Sequence, residues 1–124
     1  DQTMAKKRYL VEFGTGVDVH GMDVSKAAAK ALRDAISHCC MVGLTEYAGL
    51  KDLSEQISLD IVIACPHKEK LDVEKALSGL PAYKHMNVKV VDGGMEIDGM
   101  DLPGVVGGRT IVVVNAGITV WVDA

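Results

Sequence analysis

The apolar positions near the start of the chain change from a strand spacing to a helical spacing. Residues 9–19 carry apolar side chains at intervals typical of a β-strand, and two glycines interrupt them. After Asp23, a good helix N-cap, apolar residues recur every three to four positions, at Ala28, Leu32, Ala35, Ile36 and Cys39. This pattern predicts a helix with one Ala-rich stripe, for which Gly43 is the expected C-terminal stop.

Further strand patterns alternate with one shorter helical pattern. Residues 59–65 predict a strand that ends at Pro66, and Asp72 caps a short helical pattern that closes at Pro81. Strand patterns also cover residues 87–91 and 109–122, the second with an interruption at residues 115–117. Between them, residues 95–102 are expected to form a short extension or a hairpin arm.

This order of elements, β-α-β-α-β-β, indicates an α/β (α+β) fold. Since β-α-β crossovers are right-handed, we expect a mixed sheet with two helices on one face, in a single domain over residues 1–124. Residues 1–7 are expected to be a flexible N-terminus or an expression remnant. The order resembles the chorismate-mutase-like architecture, whose members commonly form trimers.

Composition narrows the class of protein. With Lys and Arg totalling 13 against 17 Asp and Glu, the net charge is -4, which gives no support to nucleic-acid binding. No apolar run approaches the roughly 20 residues that span a bilayer. The three cysteines are odd in number and two are adjacent, which favours reduced thiols in a cytoplasmic protein.

The hydrophobic residues are small. The 124 residues include only one Phe, three Tyr and one Trp, so the core must be built mainly from aliphatic side chains. An Ala-rich helix and an apolar second face of the sheet, which includes Trp121, both favour burial against another subunit. We therefore expect a homo-oligomer, with a trimer slightly favoured over a dimer or a larger ring.

Candidate chemistry concentrates near the end of the first strand. In an extended chain Asp18 and His20 point to the same face, where they could act as a general acid/base pair or supply two ligands to a divalent metal. They could equally form a structural pair that fixes the strand-to-helix turn. Gly14 and Gly16 would let a ligand or a neighbouring backbone approach closely, but their spacing is not that of a dinucleotide-binding motif.

This segment resembles a small, largely uncharacterised bacterial and plant family that is defined by a G-x-G-x-D-x-H-G signature. All five signature positions match: Gly14, Gly16, Asp18, His20 and Gly21. The resemblance continues through Cys65-Pro66-His67, through residues 91–96, which include Glu96, and through Asn115-Ala116. It brings no activity with it, but it indicates which residues to consider.

We therefore predict a small oligomeric enzyme that acts on a small polar molecule at a pocket between subunits. Asp18 and His20 are the predicted catalytic residues. The predicted substrate-binding residues are Gly14, Gly16, Gly21, Cys65, His67, Glu96 and Asn115. No cofactor and no metal ligands are assigned, and the absence of a G-x-S-x-G elbow, a P-loop and a C-x-x-C motif disfavours the corresponding enzyme classes. A non-catalytic ligand-binding or assembly protein, and a divalent-metal protein, are the alternatives.

Overall fold

A mixed five-stranded sheet forms the centre of the protein. The computed structural model describes residues 6–46, 49–99 and 109–123. The strands are β1 (Lys6–Asp18), β2 (Ile57–Cys65), β3 (Met86–Asp92), β4 (Met95–Asp98) and β5 (Thr110–Asp123). They lie in the order β1-β5-β2-β3, and β4 also pairs with β5. Strand β5 is antiparallel to its three partners, whereas β2 and β3 are parallel, which confirms the predicted mixed sheet.

The two predicted helices pack together on one face of this sheet. The helices are α1 (Val24–Ser37), α2 (Val42–Glu46), α3 (Leu53–Gln56) and α4 (Val73–Leu77), with a short 3-10 turn at Lys68–Lys70. Asp23 and Asp72 cap α1 and α4 as expected, each accepting a hydrogen bond from the backbone N–H three residues later. The Asp72 backbone N–H also donates to Ser25 Oγ at 2.8 Å, which ties α4 to the start of α1. Among the described residues, no helix is long and apolar enough to cross a membrane.

The core lies between α1 and the sheet and is aliphatic. The Ala-rich stripe of α1 is buried together with alternate residues of β2 and β5. At Gly14 a Cβ atom would lie 2.3 Å from the Ala31 carbonyl oxygen, and at Gly16 one would lie 1.9 Å from that of Ala27. The helix backbone therefore rests directly on β1, at a distance that only glycine permits.

The other face of the sheet is not covered by any described element. Five of the exposed large hydrophobic residues lie on this open face: Val11, Phe13, Val62, Met95 and Ile97. The expectation of an apolar second face is thus met within the part of the chain that the structure describes.

Several predicted boundaries are wrong. Helix α1 ends at Ser37, and Gly43 lies inside α2 rather than stopping α1. Strand β5 runs without interruption through residues 115–117, because β1 and β2 both pair with it there. Of the short extension or hairpin arm expected over residues 95–102, residues 95–98 form β4 and pair with β5, whereas residues 100–102 lie outside the described residues. At the N-terminus β1 already begins at Lys6, inside the segment expected to be flexible, and residues 1–5 lie outside the described residues.

Candidate functional site

A cleft of about 460 Å³ opens at the end of the sheet where β1 and β2 both terminate. The turn before α1, the loop after β2, strand β4 and the first residue of β5 meet there. Its lining residues are Met22, His67, Glu96, Ile97, Asp98 and Thr110. Two residues of the sequence prediction, His67 and Glu96, are thus brought together although they lie 29 positions apart.

The strand register places three carboxylates on one face of this end of the sheet. Val112 is the Cα partner of Asp18 on β1 and of Glu96 on β4. Opposed residues of an antiparallel pair point to the same face, so Asp18 and Glu96 flank the fully buried Val112 on the helix-covered side. Asp98 and Thr110 are paired two positions further along β4 and β5. Because side chains alternate between the two faces of a strand, both also lie on this face.

His67 and Glu96 form a direct pair inside the cleft. The Nε2 atom of His67 contacts Oε1 of Glu96, and both side chains are a little over one third exposed, at 36% and 38%. A carboxylate only accepts hydrogen bonds, so the pair fixes the imidazole proton on Nε2. The other ring nitrogen, Nδ1, lies 3.9 Å from the Glu69 carboxylate, which is too far for a hydrogen bond. The geometry therefore leaves Nδ1 as the ring atom that can take up a proton.

Asp18 holds the turn that forms one wall of the cleft. Its carboxylate is only 5% exposed and accepts a hydrogen bond of 3.0 Å from the backbone N–H of Asp23. The bond links the end of β1 to the N-cap of α1 and closes a loop over Gly21 and Met22. Gly21 has a φ of 91°, a value that glycine adopts without strain. The buried carboxylate thus fixes the position of Met22 in the lining.

Both walls of the cleft contain a residue in a strained backbone conformation. Met22 has a φ of 51° and His67 a φ of 52°, and they are the two non-glycine residues with positive φ among those described. The left-handed region is unfavourable for residues with a Cβ atom, by about 1–2 kcal/mol. Such strain concentrates at functional sites, where the surrounding structure holds a side chain in a required position.

His20 is half-buried in the bend that follows β1. Because the strand ends at Asp18, the same-face argument for Asp18 and His20 does not hold beyond the strand end. The described cleft lining does not include His20, and its predicted catalytic role stays a prediction.

The remaining predicted residues are not assembled at the cleft. Gly14 and Gly16 lie beneath α1. They allow the close approach of a neighbouring backbone, which was the expected alternative to the approach of a ligand. Asn115 lies on the opposite, open face, where its side-chain oxygen accepts a hydrogen bond of 3.3 Å from Thr15 Oγ1.

Cys65 ends β2 two residues before His67 and is fully buried. Burial raises the pKa of its thiol, and the charges of Glu69 and Asp92 raise it further, against an opposing effect of Lys68. The neutral thiol is therefore the form present near neutral pH, which is unsuited to a nucleophile. All three cysteines of the chain are free, as their odd number led us to expect.

The sequence pattern did not single out Met22, Asp98 or Thr110 as site residues. Asp98 could have been found, because it follows Glu96 by two positions in a strand and so shares its face. No sequence signal marks the left-handed conformation of Met22, which depends on the bond between Asp18 and Asp23.

The site shows no arrangement suited to a metal. Across residues 6–46, 49–99 and 109–123, no group of three or more His, Cys, Asp or Glu side chains is placed so that it could hold a metal ion. The divalent-metal alternative therefore has no support in this part of the chain.

A second cleft, of about 490 Å³, lies at the opposite end of the sheet. Its lining contains Lys84 and Glu55, which are 2.6 Å apart, and His85, which is 3.7 Å from the same carboxylate. The hydrogen bond from Lys84 lowers the pKa of Glu55, and the same bond raises the pKa of Lys84. These ion pairs are solvent-exposed and contribute little to stability. The described lining of this cleft contains no residue in a strained conformation.

Comparison with known proteins gives a family and a fold relative. The family described as "Conserved hypothetical protein (Lin0512_fam)" matches residues 8–120. The chain belongs to the Lin0512 family. A solved structure is similar to this Lin0512 protein: the crystal structure of an FtsZ-like protein of unknown function from Nostoc punctiforme. The two share 31% sequence identity with a TM-score of 0.82, over 98% of this chain and 100% of that chain. A comparison with curated proteins finds no match.

Proposed function

We propose that this Lin0512 protein is an enzyme that binds a small polar molecule in the cleft beside β4 and exchanges a proton with it through His67. The observation that carries the proposal is the His67–Glu96 pair, which lines the cleft and is held there by a left-handed backbone at His67. Side chains that are oriented by a second group and face a cleft have the geometry that general acid/base catalysis requires.

The proposed proton transfer uses the two ring nitrogens differently. Nδ1 of His67 accepts a proton from a hydroxyl, amine or activated C–H group of the substrate, whose bonding electron pair stays with the substrate. Nε2 keeps its proton on Glu96, and the carboxylate stabilises the imidazolium that forms. Return of the proton from Nδ1 to a second substrate atom completes a cycle such as an isomerisation.

The charge of the lining selects the class of substrate. Glu96 and Asp98 offer carboxylate oxygens, and Thr110 adds a hydroxyl group. The basic residue next to His67, Lys68, has its ammonium group 3.7 Å from the Asp92 carboxylate. We therefore expect a neutral or positively charged molecule that donates hydrogen bonds, such as an amino alcohol or a polyol, and not a dicarboxylate.

This assignment differs from the expected acid/base pair of Asp18 and His20. The Asp18 carboxylate is buried and already accepts the Asp23 N–H, which supports the structural role that was the alternative for it. In the proposal Asp18 is a positioning residue, and His67 and Glu96 carry the chemistry. The described lining residues belong to one chain, and the prediction of a pocket between subunits stays a prediction.

The test is a panel of small amines, amino alcohols, sugars and dicarboxylates, screened by thermal shift on the wild-type protein. Members that raise the melting temperature are then incubated with the protein, and their conversion is followed by NMR. We expect binding among the first three classes, and conversion that falls at least about 100-fold in His67→Gln.

His85→Gln is the matched control, because His85 also lies beside a glutamate, at the opposite end of the sheet. This variant should bind and convert the same compounds as the wild type. Binding without conversion would refute the proposed enzyme activity and indicate a non-catalytic ligand-binding protein. Binding restricted to dicarboxylates, or equal conversion by His67→Gln and wild type, would refute the proposal.

A further inference from the structure

We infer that the open face of the sheet is the surface through which two copies of this chain pair. The open face consists of the outward side chains of the five strands, on the side away from α1. Its large exposed apolar side chains are Val11, Phe13, Val62, Met95 and Ile97, between 40% and 69% exposed. The Thr15–Asn115 pair separates Phe13 and Val62 from Met95 and Ile97, so the face is an apolar surface with polar residues between its apolar groups. Several large apolar side chains exposed on one face are typical of an interaction site.

The centre of the open face is a row that the strand register defines. Gly117 on β5 is the Cα partner of both Phe13 on β1 and Val62 on β2. Since Gly117 has no side chain, the Phe13 ring lies across it, with ring atoms 3.5 and 3.6 Å from the position that a Cβ would take. Phe13 is the single Phe of the chain, yet 69% of it is exposed. An aromatic ring at the centre of an apolar face is typical of an interface anchor.

Charge on the open face does not oppose pairing with a second copy. By the strand register of the described residues, the open face carries two acidic and three basic residues: Asp60 on β2, Asp123 on β5, Lys89 on β3, and Lys6 and Arg8 on β1. Lys6 and Arg8 lie over the Trp121 ring. Asp60 accepts hydrogen bonds from Trp121 Nε1 at 2.8 Å and from Asn87 Nδ2 at 3.2 Å. Although the chain has a net charge of -4, this face carries charges of both signs, so two copies can be oriented with unlike charges opposed.

The area of the face reaches the size expected of a specific interface. Strand β2 has nine residues, so at about 3.3 Å per residue it is about 30 Å long. Four strands spaced by about 4.8 Å cover about 19 Å, which gives about 550 Å² per copy. Two copies then bury about 1,100 Å², above the roughly 1,000 Å² expected of a specific interface.

Face-to-face packing of identical surfaces closes with two copies. The two sheets would stack about 10 Å apart, as in a β-sandwich, and the same patch would be used on both sides. This surface therefore favours a dimer over the trimer that the order of elements led us to expect.

The test is the sedimentation velocity of the full chain over a wide range of concentration, for the wild type and three variants. We expect a wild-type dimer whose dissociation constant rises at least about tenfold in Phe13→Ser, because an aromatic anchor is lost. Val62→Thr keeps the shape and the strand propensity while adding a hydroxyl, and it should weaken pairing in the same direction. Circular dichroism establishes that each variant is folded.

Val42→Ser is the matched control, since Val42 is 55% exposed but lies on α2, away from the open face. It should pair as the wild type does. A wild-type monomer at every concentration would overturn the inference and leave the face to a different partner. A dimer or trimer that neither Phe13→Ser nor Val62→Thr weakens would overturn it as well, because another surface would then carry the contact.

Discussion

At the scale of single residues, the two glycines of the N-terminal signature are packing residues. A Cβ atom at Gly14 would lie 2.3 Å from the Ala35 backbone nitrogen, and one at Gly16 would lie 2.5 Å from that of Ala31. No side-chain rotation relieves contacts with helix backbone, so α1 would have to move away from the sheet. The two glycines of the signature are therefore required for the close contact between β1 and α1.

Gly14→Ala and Gly16→Ala should each lower the free energy of unfolding by about 1–3 kcal/mol or more, because they overpack this contact. Gly117→Ala is the control, since its Cβ would meet only the Phe13 ring at an ordinary 3.5 Å. That variant should stay within about 1 kcal/mol of the wild type. Urea unfolding midpoints measure all three, and equal losses at Gly16 and Gly117 would contradict the packing role.

Asp23 provides a residue-scale prediction with a defined dependence on pH. Its side chain accepts the Lys26 N–H at 3.0 Å, and this hydrogen bond is the main reason why the pKa of the carboxyl lies below the ordinary 3.8. A carboxyl with a lowered pKa in the folded state contributes stability above the unfolded pKa, and this contribution is lost as the pH falls through the folded value.

Asp23→Ala should therefore lose about 1 kcal/mol at neutral pH, the usual effect of removing an N-cap. Asp23→Asn keeps the acceptor oxygen and should lose less stability than Asp23→Ala. It still lacks the stabilising contribution of the negative charge. We expect the stability difference between the wild type and Asp23→Asn to shrink as the pH falls below about 4. Thermal melts from pH 3 to 7 measure this difference, and a constant gap would contradict the assignment.

At the scale of elements, the placement of β4 creates the candidate site. Strand β2 pairs with β5 over residues 115–122, and β4 takes over the same edge of β5 at residues 110–113. The chain reaches this position by crossing the end of β2 through Gly93 and Gly94. At Gly94, with a φ of 70°, a Cβ would lie 2.1 Å from the Val113 carbonyl oxygen. The crossing thus depends on glycine, and it brings Glu96 to His67.

Gly94→Ala should displace β4 and separate Glu96 from His67, because both the backbone angle and the contact with Val113 oppose a side chain. Hydrogen exchange should become faster at the β4 amides than at those of β2. Gly49→Ala is the control, since Gly49 has a similar φ of 75° but nothing within 4 Å of its Cβ position. If the two variants exchange alike, the crossing does not hold β4.

The pattern of elements could be predicted from the sequence much better than their pairing. The Asp23 and Asp72 caps, the helical stripe and the run from Leu59 to Cys65 are local signals, and they gave the correct elements. The pairing of β4 with β5 joins segments whose register depends on the whole sheet, and short-range patterns contain no information about it. For the same reason Glu96 could be named as a candidate, but its contact with His67 could not be predicted.

At the scale of the whole molecule, small side chains explain both the close packing on one face and the exposure of the other. Among the described residues, the fully buried hydrophobic side chains are all aliphatic or cysteine. Alanines and glycines let α1 approach the sheet closely, but the described helices cover one face only. The aromatic Phe13 is thus left on the open face, where we infer the contact with a second copy.

Self-association through this face should respond to salt in a characteristic way. If apolar burial around Phe13 dominates the contact, sodium chloride should affect it little, and sulfate should strengthen it. The dissociation constant, measured by sedimentation at low and high salt, should change little in chloride and fall in sulfate. A steep weakening in chloride would contradict this, because it would indicate that ion pairs rather than apolar burial hold the two copies together.

The position of bound ligand tests the central claim most directly. With a compound from the amine, amino alcohol or sugar panel, amide chemical shifts measured by NMR should change around Met22, His67 and Thr110, which line the cleft beside β4. They should stay constant around His85 and Asn87, which line the cleft at the opposite end of the sheet. Shifts confined to His85 and Asn87, with none near His67, would contradict the assignment of the His67–Glu96 cleft as the functional site.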